Sequence, residues 1–180
     1  RTLSADGRWL TYVIEPWDGD PTLVVTRTDG SVENRYRGRA AAFTRDSRFV
    51  AFRVPPMRSI VDSLRREGKS GDDLPGDSLA VLTLDNALTG GNENIFRTGP
   101  IESFSVPEDA GVFIAYLLSK ETDEEEESQN REEDEEEKRS AEYEKRHEKR
   151  AGTPLIVRNL ELGIEHQFEN VVEYRVADAG

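Results

Sequence analysis

The chain has 180 residues with 24 Lys and Arg against 37 Asp and Glu, which gives a formal net charge of -13 at pH 7. This balance disfavours a nucleic-acid binder, because binding to the phosphate backbone depends on basic side chains. The longest apolar stretch, residues 112–118, is far shorter than the roughly 20 residues of a membrane-spanning helix. We therefore predict a folded domain that binds no nucleic acid and inserts into no membrane. Without cysteine to indicate a redox environment, its compartment stays open between cytoplasmic and periplasmic or secreted.

Three short blocks of the sequence share one residue pattern. Residues 9–12, 49–52 and 113–116 each run aromatic, aliphatic, small, aromatic. Turn-forming Asp, Gly or Ser residues stand just before each block. Each block is therefore predicted to follow a hairpin turn, as the second strand of a repeated unit.

A second set of matching blocks follows the first. Residues 23–25, 79–81 and 155–157 are apolar and each ends at turn-forming residues. A short strand is expected after each of them, around residues 32–36, 94–96 and 165–168. With the longer loops of two units removed, the repeat is about 45 residues long, which is typical of a four-stranded propeller blade.

We therefore predict an all-β fold, a partial β-propeller of about three four-stranded blades. The charged insertion that it carries is expected to be partly helical or disordered. Since propellers close with about four to eight blades, the chain is expected to be a piece of a longer protein. The predicted bounds are about 1–37 for blade one, 38–98 for blade two with an insertion at 54–76, 99–170 for blade three with an insertion at 119–151, and 171–180 for the start of a fourth blade.

The insertion at 54–76 is predicted to contain a short amphipathic helix that ends near Gly68. Such a helix would pack either on the propeller or against a second domain. The residues that would share its apolar side are Met57, Ile60, Val61 and Leu64.

The other insertion holds most of the acidity, since residues 121–150 contain 15 acidic and 7 basic side chains. No apolar face accompanies these charges, so a solvated and partly disordered segment is expected. A site for a cation or a basic partner is the alternative, although the run lacks the glycine-spaced loop of specific Ca²⁺ sites.

One short motif suggests a catalytic serine. Residues 76–79 spell Gly-Asp-Ser-Leu, the motif of the GDSL esterases, in which the serine is the nucleophile. Here the motif follows a loop instead of a buried strand, and the chain has no Asp-x-x-His to supply a base. Ser78 also falls at the same repeat position as Thr22 and Pro154. We therefore predict that Ser78 only starts a strand.

The two histidines and one glycine-containing loop are the remaining candidates for a metal or phosphate site, and none of them has the pattern that such a site requires. His147 lies in the charged insertion and His166 in a predicted outer strand, without the further His or Cys that a metal site needs. Residues 68–71 resemble part of a phosphate-binding loop but lack its first glycine and the preceding strand. No catalytic, cofactor-binding or metal-binding residue is predicted, and no cofactor.

Residues 3–12 and 43–52 resemble the blades of the prolyl oligopeptidase family, and residues 152–160 look like third strands of the propellers of its bacterial members. In that family an N-terminal propeller caps a C-terminal α/β-hydrolase domain whose Ser, Asp and His cleave short peptides, and the propeller restricts what enters. The resemblance implies two partners: a downstream α/β-hydrolase domain of the same chain, and a peptide substrate of the parent enzyme.

Two functions are consistent with these patterns. The first is a propeller module of a prolyl-oligopeptidase-like serine hydrolase, which filters substrate access and docks the catalytic domain. The second is a non-enzymatic TolB-like or WD-repeat-like propeller that acts as a protein-interaction scaffold. No Gly-x-Ser-x-Gly elbow occurs in the 180 residues, so the first function places all catalytic residues downstream. No match is found for the family's propeller glutamates that bind a peptide amino terminus.

Overall fold

The computed structural model describes residues 1–84, 95–108, 111–119 and 152–176. These ranges contain eleven β-strands, one α-helix and a short 3-10 turn at Gly71–Asp73. The strands and the helix are β1 (Thr2–Leu3), β2 (Trp9–Ile14), β3 (Thr22–Arg27), β4 (Glu33–Arg37), β5 (Arg39–Phe43), β6 (Phe49–Val54), α1 (Arg58–Arg66), β7 (Ser78–Thr83), β8 (Ile95–Ser105), β9 (Phe113–Leu118), β10 (Thr153–Asn159) and β11 (Glu165–Val171).

The strands form antiparallel sheets in which each strand pairs with its neighbours in sequence. One sheet has the order β1-β2-β3-β4, and the other has the order β11-β10-β9-β8-β7-β6-β5. The larger sheet contains two blades that share β8, so the described chain has three four-stranded blades. The predicted all-β partial propeller is confirmed. The predicted charged insertion lies almost wholly outside the described residues.

Strand β8 differs from the prediction, which expected separate strands on either side of residue 98. The first part of β8 pairs with β7, and its second part, from Ile101, pairs with β9. Gly99 and Pro100 lie at this transition, with Pro100 paired to Ser78 of β7, and they stay in the strand because proline favours an extended conformation for itself and for the residue before it. The chain therefore passes from the outer edge of blade two to the inner edge of blade three without a turn.

The second and third strands have the same register in all three blades. The last aromatic residue of each block of four pairs with the middle residue of the following apolar block: Tyr12 with Val24, Phe52 with Ala80, and Tyr116 with Ile156. The residue after each third strand also donates its backbone N–H to the carbonyl before the second strand: Thr28 to Arg8, Leu84 to Arg48, and Leu160 to Val112, at 2.9, 2.8 and 2.7 Å.

Two hydrophobic cores lie between neighbouring blades. Successive side chains of a strand alternate between its two faces, so two aromatic residues three positions apart point to opposite faces. Trp9 and Phe52 therefore belong to the core between blades one and two, while Phe49 and Tyr116 belong to the core between blades two and three. Blade two is covered on both faces because it contributes to both cores.

Each of the first two hairpin turns is closed by a hydroxyl and an aspartate. In blade one, Ser4 Oγ donates to Asp6 Oδ1 at 2.7 Å and accepts from Trp9 N at 2.9 Å. Asp6 Oδ1 also accepts from Arg8 N at 3.0 Å. These bonds satisfy backbone groups of the turn that strand pairing leaves unpaired.

Blade two repeats this arrangement. Thr44 Oγ1 donates to Asp46 Oδ1 at 2.6 Å and accepts from Phe49 N at 3.1 Å. Ser47 takes the place of Gly7, and both residues have left-handed backbones, with φ of 59° and 72°. The serine also joins the two turns, because its Oγ accepts from Asp6 N at 3.1 Å.

We expect removal of the first aromatic ring of the second strand to destabilise the fold more in blade two than in blade three. Phe49 is 5% exposed, whereas Phe113, at the same position of blade three, is 39% exposed. We expect Phe49→Ala to lower the free energy of unfolding by about 3–5 kcal/mol and Phe113→Ala by less than half of that. Urea denaturation of both variants measures the difference, and equal losses would contradict this assignment of the cores.

The turn of blade one predicts a sensitivity to acid. Although partial burial raises the pKa of Asp6, the hydrogen bonds from Ser4 and from the Arg8 backbone together lower it below its usual 3.8. The ionised carboxylate thus stabilises the fold above pH 3.8, and this stabilisation is lost as the pH falls through the lowered pKa.

We expect Asp6→Asn to lower the free energy of unfolding by about 1 kcal/mol at neutral pH and to flatten its dependence on acid. Urea midpoints between neutral and strongly acidic pH measure both effects. The control is Asp72→Asn, which removes an exposed carboxylate in the 3-10 turn at Gly71–Asp73, away from the hairpin turns. A wild-type acid dependence that survives unchanged in Asp6→Asn would disprove the role of this carboxylate.

Candidate functional site

The long loops emerge at one end of the strands. Antiparallel pairing places the β2–β3 loop (15–21), the β6–β7 loop (55–77) and the β9–β10 connection (119–152) at the same end of each blade. We call this end the insertion face. The opposite end, with the hairpin turns 4–8 and 44–48, is the turn face. Residues 120–151 lie outside the described part of the chain.

Helix α1 lies in the β6–β7 loop, within the predicted insertion, and blade one holds its first turn. The helix follows Met57, which supplies no side-chain cap. Instead Asp20, in the β2–β3 loop of blade one, accepts from the backbone N–H of Arg58 at 2.8 Å. A carboxylate at this position satisfies a free donor and interacts favourably with the helix dipole. Gly68 follows the helix with a left-handed backbone, φ 91°.

The side chain of Arg58 strengthens the connection between the two loops. Its Nη1 donates to the carbonyl of Trp17 at 3.2 Å and lies 3.3 Å from Asp18 Oδ1. Its Nε lies 3.7 Å from Asp62 Oδ2, one turn along the helix. The loops of blades one and two thus form one continuous rim on the insertion face.

This rim carries exposed apolar side chains. Trp17 is 99% exposed, and Met57 and Ile60 are 47% and 48% exposed. We call these three residues the insertion patch. No residue of α1 is fully buried. On its apolar side Met57 and Ile60 face solvent, whereas Val61 and Leu64 are half-buried. Exposed apolar groups clustered in this way are typical of interaction surfaces.

A charged cluster lies at the base of the same rim. Asp77 is largely buried, and its Oδ2 lies 2.9 Å from Arg39 Nη2 and 3.7 Å from Arg53 Nη1. Arg53 Nη2 also donates to the carbonyl of Glu102 at 2.7 Å. Because both arginines neutralise this carboxylate, we interpret the cluster as a set of ion pairs within blade two, which Arg53 extends to β8, and not as a catalytic base.

Another polar cluster joins blades two and three. Tyr116 Oη donates to Glu165 Oε1 at 3.0 Å, and Arg158 forms an ion pair with the same carboxylate. Burial, followed by the hydrogen bond to Glu165, raises the pKa of Tyr116. The guanidinium of Arg158 lies 3.8 Å from the centre of the Phe96 ring. The side chain of Tyr116 therefore stays a neutral phenol in the core between the blades, and its hydroxyl is hydrogen-bonded to Glu165.

Among the residues that the structure describes, none is bonded to Ser78 as a catalytic base would be. This residue is the first of β7 and pairs with Val54 and Pro100. His166 is exposed in β11, and His147 lies outside the described residues. Within the described ranges, no three His, Cys, Asp or Glu side chains are grouped so that they could hold a metal ion.

Sequence reasoning placed Met57 and Ile60 on the apolar side of the helix but missed Trp17, the third residue of the insertion patch. Trp17 stands in a polar loop between Pro16 and Pro21, and this was the signal available, because a lone tryptophan in such a loop has no core to join. The bond from Arg58 to Asp20 left no such signal, since the two residues are 38 positions apart. Among the described residues, no helix is long and apolar enough to cross a membrane.

Comparison with known proteins finds similarity only among solved structures, because no protein-family model and no curated protein matches the chain. The β-propeller domain of the trilobed protease from Pyrococcus furiosus aligns with a TM-score of 0.49 and 12% identity, over 92% of this chain and 40% of that chain. Acylaminoacyl peptidase from Pyrococcus horikoshii aligns with a TM-score of 0.47 and 16% identity, over 91% and 23%.

A third structure, an acylaminoacyl peptidase bound to a peptide chloromethyl ketone, aligns with a TM-score of 0.45 and 14% identity, over 91% of this chain and 24% of that chain. The chain thus spans less than half the length of each of these three structures. Similarity at these scores does not bear on its activity.

The position of Ser78 predicts that it takes no part in hydrolysis. A serine nucleophile needs a base within hydrogen-bond reach, and the neighbouring carboxylate of Asp77 is paired with two arginines. We expect Ser78→Ala to leave ester and peptide hydrolysis unchanged, with Ser70→Ala, in the exposed loop, as the matched control. Labelling of Ser78 by a fluorophosphonate would contradict this prediction and favour the esterase interpretation.

Proposed function

We propose that the chain is the N-terminal propeller module of a prolyl-oligopeptidase-like serine peptidase. In this role it docks a downstream α/β-hydrolase domain and filters the peptides that reach the catalytic site. The family is supported by the blade sequences at residues 3–12 and 43–52. The observation that carries the docking role is the insertion patch, where Trp17 is 99% exposed.

The insertion patch has the properties of a docking surface. Trp17 is held by its backbone, because Arg58 binds the Trp17 carbonyl and leaves the indole facing solvent. Tryptophan is enriched among the residues that dominate binding energy at interfaces. Arg58, Asp18 and Asp20 surround the patch with charge, as in interfaces with an apolar centre and a polar rim.

The filtering role depends on the same face. The loops of blades one and two already form a continuous rim through Arg58 and Asp20, and Ser119, directly after β9, lies at the same end of blade three. A Cβ added at Gly76 would lie 3.5 Å from Ser119 Oγ, so the end of the β6–β7 loop lies beside the start of the β9–β10 connection. A domain seated on this rim would receive its substrates past these loops.

A non-enzymatic propeller of the TolB-like or WD-repeat-like type is the second candidate. The insertion patch would then bind a separate protein instead of a domain of the same chain. The two functions differ in the sequence expected after residue 180, because only the first requires a Gly-x-Ser-x-Gly elbow with a later Asp and His.

The test uses the complete gene product. We expect its sequence to contain the elbow, a fluorophosphonate to label that serine, and the protein to cleave short peptides in preference to unfolded proteins. Trp17→Ser should weaken docking, so limited proteolysis should separate the propeller several-fold faster and the preference for short peptides should fall. The matched control is Leu162→Ser, since Leu162 is 69% exposed and lies at the turn face.

The possible failures are distinguishable. A complete sequence without an elbow, or an unlabelled protein, would disprove the peptidase and favour the scaffold. A labelled, active enzyme in which Trp17→Ser and Leu162→Ser behave alike would keep the peptidase but disprove docking through the insertion patch.

A further inference from the structure

A cavity of about 260 Å³ opens on the turn face between blades one and two, away from the insertion patch. Two hairpin turns and the ends of β3 and β7 enclose it. The described residues that line the cavity are Asp6, Arg8, Trp9, Arg27, Asp46, Ser47, Arg48 and Leu84.

The aspartates that line this cavity already accept hydrogen bonds from neighbouring residues of their own turns. Asp6 accepts from Ser4 and Arg8, and Asp46 accepts from Thr44 and Arg48, so the carboxylates are occupied by their own turns. The guanidinium of Arg8 lies 3.3 Å from Asp6, and that of Arg48 forms an ion pair with Glu161, which does not line the cavity. Both aspartates therefore accept hydrogen bonds from their own turns, and two of the three arginines that line the cavity are paired with carboxylates.

Arg27 is the donor that the fold leaves available. Its guanidinium carbon lies 5.5 Å from the centre of the Trp9 ring, a cation–π contact that orients the group and leaves its N–H edge unbonded. Within the described residues it forms no side-chain hydrogen bond and no ion pair, although its charge lowers the pKa of nearby Asp29, after the larger effect of Ser31. A guanidinium binds a carboxylate through two parallel bonds.

The size and the walls of the cavity restrict the ligand. Its volume of about 260 Å³ lies below the roughly 300–1,000 Å³ of pockets for drug-sized molecules. Trp9 and Leu84 provide an apolar wall. These dimensions suit a molecule of about the size of one amino acid, with a carboxylate at one end and an apolar group at the other.

We propose that this cavity binds the carboxylate of an amino-acid-sized molecule, with Arg27 as the principal ligand-binding residue and Arg8 as a second donor. This site is independent of docking at the insertion face and of any peptidase activity. Binding joins blade one to blade two, because the cavity is lined by both.

The test measures binding by the fluorescence of Trp9. The 180-residue chain has two tryptophans, so a Trp17→Phe variant, altered only on the opposite face, leaves Trp9 as the sole reporter. We expect N-acetyl-leucine to change this fluorescence with saturation and to bind more weakly as salt is added. N-acetyl-leucinamide, which lacks the carboxylate, should bind at least about tenfold more weakly.

Three variants assign the binding to the cavity. Arg27→Gln should weaken the binding of N-acetyl-leucine about tenfold or more, and Arg27→Lys should weaken it less because it keeps the charge. Arg35→Gln is the control, since Arg35 is an exposed arginine of β4 that pairs with Glu33 outside the cavity. Calorimetric titration of the wild-type chain checks the affinity without a reporter, and thermal melting shows that each variant is folded.

Four outcomes would overturn the proposal: no saturable binding, equal binding of the acid and the amide, equal losses in Arg27→Gln and Arg35→Gln, or inorganic phosphate binding as tightly as N-acetyl-leucine. The last outcome would replace a carboxylate site with a general anion site.

Discussion

The packing between blades depends on the spacing of two aromatic residues within one strand. They stand three positions apart in the second strand of each blade, so they point to opposite faces of the sheet. Each core between two blades thus receives one ring from either side, Trp9 with Phe52 in one core and Phe49 with Tyr116 in the other. A spacing of two or four would place both rings in a single core and leave the other face of the blade without one.

This constraint also sets the roles of the two ends of the propeller. The turns that precede the aromatic strands are short and tightly bonded, since each must start its strand in the correct register. The loops at the opposite end do not set the register of a strand. Doubling the length of a flexible loop raises the free energy of closing it by only about 0.6 kcal/mol. The insertions therefore accumulate on one face, where α1 and Trp17 lie, while the turn face keeps its compact cavity.

Sequence reasoning succeeded where the signal is local. The repeated blocks of four residues, the apolar blocks after them and the turn-forming residues beside them located the second and third strands. The alignment of the three units matches the observed pairing, as in Tyr12 with Val24. The helix in the β6–β7 loop was also predictable from its spacing. The blade bounds, however, could not include the shared strand β8, because Gly99 and Pro100 normally indicate a break.

The contacts between blades were beyond such reasoning. Arg27 gives no sign in the sequence that it lies over Trp9, and Asp20 gives no sign that it caps α1, since both arrangements depend on how separate strands and loops pack. Ser78 shows the opposite case. Its motif suggests an esterase, but its repeat position and its pairing with Val54 agree that it starts a strand.

The shared strand β8 has a consequence for the order of folding. Blade one is a separate sheet whose strands all lie within residues 2–37, so its pairings are local in sequence and should form early. Blades two and three should unfold together, because both contain the eleven-residue strand β8. Unfolding of either blade removes one of the two strands that pair with β8. Their amide protons should therefore exchange with solvent in one common opening event, whereas those of blade one should exchange in a separate event of lower free energy.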